Sequence, residues 1–132
     1  MEKEKQPTND REGLVSVLQR ARQVVLCAHV SPDGDTIGSC LALRLALQRL
    51  GKEATVICQD KVPNMLSFLP GADSILRPEK LNVAHPELAL CVDVSDQRRL
   101  GSCIRVVEAA RETAQIDHHG TNPYYTQTNV VA

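Results

Sequence analysis

Two continuous apolar runs constrain the fold of this chain more than any other feature of its sequence. They are QVVLCAHV (23–30) and LALCVDVS (88–95), and the first is rich in Val. Runs of this kind, without alternating polar residues, are typical of strands buried on both faces of a parallel sheet. Parallel strands need crossover connections, and helical patterns do separate the runs. We therefore predict an α/β fold, an open and mostly parallel β-sheet with helices on both faces.

Helical and strand patterns alternate along the rest of the chain. Asn9, with Glu12 three residues later, predicts the N-cap of a first helix that ends near Arg22. The helix predicted over 36–51 is apolar nearly all round, so we expect it to be heavily buried. The remaining predicted elements are a helix at 96–111, a short helix opened by Pro63, and strands at 53–60, 74–77, 113–118 and 124–132.

Composition limits the compartment and the classes of partner. A net charge of −1 gives no global signal for nucleic acid or a membrane surface. The five cysteines form no CxxC pair, and their odd number favours a reducing, cytoplasmic compartment. No apolar run is long enough to span a bilayer. The N-terminal MEKEKQPTND is charged and has no apolar signal segment. Residues 1–8 are predicted to be a disordered N-terminus and 9–132 to be one domain.

Histidines and carboxylates gather at the ends of three predicted strands. Ligands of open parallel sheets bind outside these carboxyl ends. Imidazole and carboxylate ligands together suit Mn²⁺, Fe²⁺ or Zn²⁺. The set is too large for one tetrahedral ion and suits two ions roughly 3.5–4 Å apart that share a carboxylate. The seven residues are His29, Asp33, Asp35, Asp93, Asp117, His118 and His119.

Each cluster taken alone has an ordinary structural explanation. SPDGD is a good turn in which Asp35 or Thr36 would cap the following helix. Asp93 is the hardest to explain structurally, because a single Asp inside an apolar strand is costly unless it is paired or bound to a metal. Arg98 and Arg99 follow it at the predicted start of a helix, where they bind phosphate or simply face solvent.

Three motifs resemble those of a known superfamily. HVSPDGDTIGS, VDVSDQRRLG and IDHHGTN resemble the first three motifs of the DHH phosphoesterases, the RecJ-like superfamily. LGKEATVICQDKVPNMLSFLPGAD also looks like the bacterial nanoRNase branch, and the resemblance spans about 10–132. It implies a cytoplasmic hydrolase of RNA degradation, a phosphodiesterase or exoribonuclease. Its substrates would be short oligoribonucleotides, 3'-phosphoadenosine 5'-phosphate (pAp), or both.

The same resemblance implies two divalent cations, with Mn²⁺ favoured. His29, Asp33 and Asp93 match the ligands of one ion. Asp35, Asp93 and His118 match the ligands of the other, so that Asp93 bridges the pair. The implied reaction is attack on phosphorus by a hydroxide that bridges the two metals, with no covalent intermediate. Asp93 and His118 are thereby implied to be catalytic.

Two further roles follow from the resemblance. His119 matches a catalytic residue near the scissile phosphate, and Asp117 would orient the histidines. Arg98 and Arg99 are candidates for substrate binding. Members of the family also carry a fourth motif with another metal-ligating Asp and a C-terminal DHHA1 domain that binds substrate. Neither occurs in the 132 residues, so we expect a domain truncated before the fourth motif that is weak or inactive alone.

Two other functions remain open at this point. An exopolyphosphatase or an inorganic pyrophosphatase would use the same metal chemistry. A non-catalytic nucleotide-binding module would use the same strand ends without hydrolysis. A dinucleotide-binding Rossmann domain is disfavoured, because the first strand-to-helix turn lacks GxGxxG. The sequence leaves open the exact substrate, the direction of exonuclease action, the metal and the assembly, including a homodimer.

Overall fold

The computed structural model describes residues 9–132, and the disorder predicted for 1–8 lies outside them. Five strands form one sheet in the order β2-β1-β3-β4-β5, and every pair is parallel. This parallel sheet confirms the predicted α/β class. As a consequence, the carboxyl ends of all five strands lie at one edge of the sheet. The strands are β1 Gln23–Cys27, β2 Glu53–Ile57, β3 Leu88–Val92, β4 Glu112–Asp117 and β5 Thr128–Val131.

Helices cover both faces of the sheet, as predicted. The helices α1 (Arg11–Arg20) and α2 (Gly34–Arg49) pack on one face, and α3 (Ile104–Ala109) packs on the other. All five cysteines are buried as free thiols in these two layers, where they act as small apolar side chains. Within the described residues, no helix is long and apolar enough to cross a bilayer.

The first helix is capped one residue later than predicted. Asp10 is the N-cap of α1, and its Oδ1 accepts a hydrogen bond from Gly13 N at 2.8 Å. The side chain of Asn9 instead accepts from the backbone N–H of Val131 at the end of β5. The prediction of Asn9 as the N-cap was wrong, because the Asn9 side chain holds the start of the described residues against β5.

The helix predicted over 96–111 is broken at Gly101. This residue has φ 56° and ψ −133° and interrupts the 3-10 segment Gln97–Cys103, which leads into α3. A Cβ there would lie 2.2 Å from Gln59 Oε1 and 2.7 Å from Val30 Cγ1. Close packing against the ends of β1 and β2 therefore overrides the helical periodicity, and only glycine adopts this backbone at low cost.

Two other elements differ in extent from their predictions. The strand expected at 74–77 is a single bridge between Leu76 and Ile57. The helix α2 is only partly buried, because Leu45 is half-exposed and Leu50 at its C-cap is mostly exposed. The short helix predicted after Pro63 is one 3-10 turn at Asn64–Leu66.

Candidate metal centre

His29 lies two residues beyond β1, in the turn that leads into α2. The residue is buried, and its Nδ1 lies 2.6 Å from the carbonyl oxygen of Val30. Since a carbonyl only accepts, this contact places the proton on Nδ1 and leaves the lone pair on Nε2. That Nε2 lies 3.5 Å from Asp33 Oδ1 and 4.0 Å from Asp93 Oδ2. The imidazole is thus oriented as a ligand between two carboxylates.

Asp33 caps α2, whereas the prediction from the sequence was Asp35 or Thr36. Its Oδ1 accepts a hydrogen bond from the backbone N–H of Thr36 at 3.1 Å. That hydrogen bond, followed by the nearby His29, lowers the pKa of Asp33, so the carboxylate is ionised. The buried hydroxyl of Thr36 donates to the carbonyl oxygen of Val92 at 2.8 Å, which ties the start of α2 to the end of β3.

Asp93 follows β3 directly and occupies the centre of the cluster. Its backbone is left-handed, with φ 63°, a conformation that Asp and Asn adopt more readily than most residues. Its Oδ1 lies 2.7 Å from His118 Nε2, but this contact is not aligned as a hydrogen bond, and within 9–132 this buried oxygen has no hydrogen-bond partner. Burial raises the pKa of Asp93, and the contact with His118 only partly offsets this.

Asp35 and His118 form the more exposed side of the cluster. His118 Nε2 lies 3.8 Å from Asp35 Oδ2, and both side chains are more than half exposed. His118 therefore stands between the buried Asp93 and the exposed Asp35. These two contacts place the β4 end of the cluster against the first turn of α2.

His119 pairs with Asp117 beside the cluster. Its Nδ1 lies 2.6 Å from Asp117 Oδ1, and Asn122 Nδ2 donates to Asp117 Oδ2 at 2.7 Å. Burial alone would raise the pKa of Asp117, but the hydrogen bonds from Asn122 and His119 outweigh it, so the pKa is lowered. The same Asp117 hydrogen bond raises the pKa of His119. Both oxygens of Asp117 are thus committed to orienting neighbours.

Of the two candidate arginines, only Arg99 reaches the cluster. Arg99 Nη2 lies 3.4 Å from His29 Nδ1, and the Arg99 carbonyl accepts from Val30 N at 2.7 Å. Arg98 is exposed and pairs with Asp96, with Nε 3.5 Å from Oδ1. Arg98 is therefore held away from His29, and the 3-10 helix that carries both arginines replaces the predicted helix start.

The ligand-capable side chains fall into two groups that share Asp93. Its unpartnered buried oxygen and the mixture of imidazole and carboxylate donors both fit a divalent cation. Asp35 lies outside both groups, within 3.8 Å of His118. One group is His29, Asp33 and Asp93, and the other is Asp93, Asp117, His118 and His119, with ligand atoms within 4.8 Å of one another in each.

A cavity of about 620 Å³ opens beside the shared carboxylate. Its lining includes the polar side chains of Asp93 and His118 and the apolar side chains of Leu43, Val92 and Ile116. This volume lies within the range of small-molecule sites, which is about 300–1,000 Å³.

A parallel sheet with histidines and carboxylates gathered at its carboxyl edge defines an α/β domain with a candidate metal centre. The chain belongs to the DHH family, whose N-terminal domain model matches residues 23–132. The motif resemblance is thereby confirmed at the level of the family.

Two proteins are similar to this chain over most of its length. It is 38% identical over 109 residues to the bifunctional oligoribonuclease and PAP phosphatase NrnA of Thermus thermophilus. That match covers 82% of this chain and 31% of the relative. The crystal structure of an exopolyphosphatase-related protein from Bacteroides fragilis superposes with a TM-score of 0.83 at 27% identity, over 91% of this chain and 37% of that one. The chain thus spans about a third of the length of these relatives.

Proposed function

We propose that this chain is the metal-binding domain of a phosphoesterase that hydrolyses short oligoribonucleotides, pAp, or both. The observation that carries the proposal is Asp93, a buried carboxylate that is shared by two ligand groups and whose Oδ1 has no hydrogen-bond partner among the described residues. A carboxylate shared in this way would hold two divalent cations close enough to act on one phosphoryl group. The similarity to the oligoribonuclease and PAP phosphatase supports this choice of substrates.

We infer that His29, Asp33 and Asp93 hold one divalent cation. Asp93, His118 and Asp35 would hold a second, since His118 lies within 3.8 Å of both carboxylates. Nitrogen and oxygen donors of this kind suit Mn²⁺. Cations bound there would supply positive charge for the phosphoryl oxygens and activate water for attack on phosphorus.

The chain's own residues would bind and orient the substrate around these ions. Asp117 holds the proton of His119 on Nδ1, which leaves Nε2 of this partly exposed ring free for the phosphoryl group. The Asp117 hydrogen bond raises the pKa of His119 in the metal-free chain, and a protonated ring would donate to a phosphate oxygen. The Arg99 guanidinium, beside His29, would bind a second phosphate oxygen.

The alternative with its own support is hydrolysis of polyphosphate or pyrophosphate. The exopolyphosphatase-related structure supports it, since its backbone matches this fold closely. Against it, the cavity beside Asp93 is lined partly by apolar side chains, which suit a nucleoside better than an inorganic phosphate chain. A cytoplasmic location and a homodimer stay predictions.

An assay of four substrates separates these functions. A full-length protein that contains this chain, loaded with Mn²⁺, is expected to cleave a diribonucleotide or pAp at least about tenfold faster than pyrophosphate or polyphosphate, a preference of about 1.4 kcal/mol. The reverse preference would support the second function. If the protein binds Mn²⁺ but cleaves none of the four substrates, it is a non-catalytic module.

The two roles of Asp33 can be separated by two substitutions. Asp33→Asn keeps a good N-cap, so the free energy of unfolding should stay near the wild-type value while Mn²⁺ affinity falls. Asp33→Ala removes the cap as well and should cost about 1 kcal/mol of stability in addition. Thermal unfolding with a chelator, and Mn²⁺ titration without it, measure the two effects. Equal Mn²⁺ affinity in all three proteins would exclude Asp33 as a ligand.

A further inference from the structure

We propose that Asn122 is a positioning residue for His119 that acts through Asp117, and that Gln115 fixes the orientation of Asn122. The inference rests on the proposed function in one respect, the contact of His119 with substrate. Neither Gln115 nor Asn122 lies in a ligand group, and both are buried. The sequence signal that could have pointed to them is a polar residue, Gln115, inside the buried part of the TAQID strand.

The side-chain amide of Asn122 uses its full hydrogen-bonding capacity. Its Nδ2 donates to Asp117 Oδ2 at 2.7 Å and to Gln115 Oε1 at 2.6 Å. Its Oδ1 accepts from Tyr124 N at 2.7 Å and from Gln115 Nε2 at 3.1 Å. An amide has two donor hydrogens and two acceptor lone pairs, so no group is left over.

Gln115 and Asp117 hold Asn122 from the same side of β4. They are two residues apart in the strand, so their side chains point to the same face of the sheet. Gln115 is fully buried, and its Nε2 also donates to Asn129 Oδ1 at 2.6 Å. The amide pairing between Gln115 and Asn122 therefore decides which edge of Asn122 faces the Asp117 carboxylate.

Only one orientation of Asn122 satisfies all its neighbours. Rotating the amide by 180° would turn its oxygen towards the Asp117 carboxylate and its NH₂ group towards the Tyr124 N–H. The first contact would then join two acceptors and the second two donors, and buried polar groups without partners are unfavourable. The hydrogen bonds of Asn122 thus fix its Nδ2 as the donor to Asp117, without any contribution from solvent.

The consequence for His119 is a fixed ring orientation. With Oδ2 held by Asn122, Asp117 presents Oδ1 to His119 Nδ1 at 2.6 Å. A carboxylate fixed on both oxygens keeps the proton on Nδ1 and sets the direction of Nε2. Partners that orient a functional histidine in this way typically contribute about 10–100-fold to activity.

The test compares Asn122→Ser with a matched control, Asn129→Ser. Asn129 bonds to Gln115 and Thr126 in the same network but makes no hydrogen bond to Asp117. In the full-length protein loaded with Mn²⁺, Asn122→Ser should lower kcat about 10–100-fold with KM within about threefold, and Asn129→Ser should leave kcat within about threefold. Equal losses of kcat in both variants would overturn the proposal.

Combination with His119→Ala tests whether Asn122 acts through that ring. Added to His119→Ala, Asn122→Ser should lower kcat less than about twofold further, because the ring that it positions is gone. The same fold loss in both backgrounds would show a general structural effect. Should Asn122→Ser fail to fold, Asn122→Asp keeps the side-chain volume, places an acceptor against Asp117, and is tested in the same way.

A spectroscopic measurement separates this proposal from the proposed function. In the metal-free chain, at a pH where the ring is neutral, the imidazole ¹⁵N spectrum should show His119 as the Nδ1–H tautomer alone. Asn122→Ser should give a mixture of tautomers, and Asn129→Ser should not. A wild-type ring protonated on Nε2 would overturn the positioning role, whatever substrate is cleaved. The predicted tautomers without phosphoesterase activity would overturn only the proposed function.

Discussion

Replacing Asp93 by Asn is expected to abolish metal binding while leaving the metal-free protein at least as stable as the wild type. The substitution keeps the volume of the side chain and suits the left-handed backbone at this position. It removes the negative charge of a buried carboxylate whose Oδ1 has no hydrogen-bond partner within the described chain. Affinity for Mn²⁺ should fall more than about 100-fold, because the shared ligand of both groups is lost.

The stability effect of Asp93→Asn should depend on pH. Burial raises the pKa of Asp93 in the folded protein above its unfolded value. The ionised carboxylate therefore opposes folding as pH rises through the folded pKa, and this effect is absent below the unfolded pKa. With a chelator present, the melting temperature of Asp93→Asn should exceed that of the wild type by a few degrees near neutral pH. The difference should vanish towards about pH 4.

Calorimetric titration with Mn²⁺ and thermal unfolding with a chelator test both parts of this prediction. Asp73→Asn is the matched control, since it removes the same charge from an exposed carboxylate outside both ligand groups. Its Mn²⁺ affinity should stay within about twofold of the wild type. Unchanged affinity in Asp93→Asn, or a strongly destabilised metal-free variant, would contradict the role given to Asp93.

Replacing Gly101 by Ala is expected to lower the free energy of unfolding by about 3 kcal/mol or more. Two costs combine, a backbone with φ 56° and a Cβ that would overlap Gln59 Oε1 and Val30 Cγ1. Gln59 cannot move away freely, because its Oε1 accepts a hydrogen bond from Ser102 N at 2.8 Å. The melting temperature should fall on the order of 10 °C.

Gly38→Ala is the control for this prediction, because it makes the same chemical change in a different environment. Gly38 lies inside α2, and a Cβ there would meet no atom within 4 Å. Ala is the better helix former, so stability should rise by about 0.5–1 kcal/mol. Thermal unfolding of the two variants should give shifts of opposite sign. A neutral Gly101→Ala would contradict the close approach of the kink to the strand ends.

The sheet and the composition of the cluster could be predicted because both depend on strong local signals. Continuous apolar runs indicate parallel strands, and parallel strands carry the residues that follow them to a common edge. Asp93 stood out in the sequence because a charge in such a run needs a partner. The convergence of His29, Asp93 and His118 then followed from topology, without any knowledge of their distances.

Features that depend on packing between distant segments could not be predicted in this way. The kink at Gly101 follows from contacts with Gln59 and Val30, which lie far away in the sequence. The capping role of Asp10 follows from the use of Asn9 by β5. Helical periodicity and capping preferences carry no information about such tertiary contacts. The helix predicted over 96–111 therefore ran through the break at Gly101, and the N-cap of α1 was predicted one residue too early.

The central claim is that two cations share Asp93. Electron paramagnetic resonance of the protein titrated with Mn²⁺ tests this claim most directly. The wild-type chain is expected to show a spin-coupled spectrum as the second equivalent of Mn²⁺ binds, and Asp93→Asn is expected to show none. A wild-type chain that binds only isolated, uncoupled Mn²⁺, with the same spectrum in Asp93→Asn, would contradict the shared site.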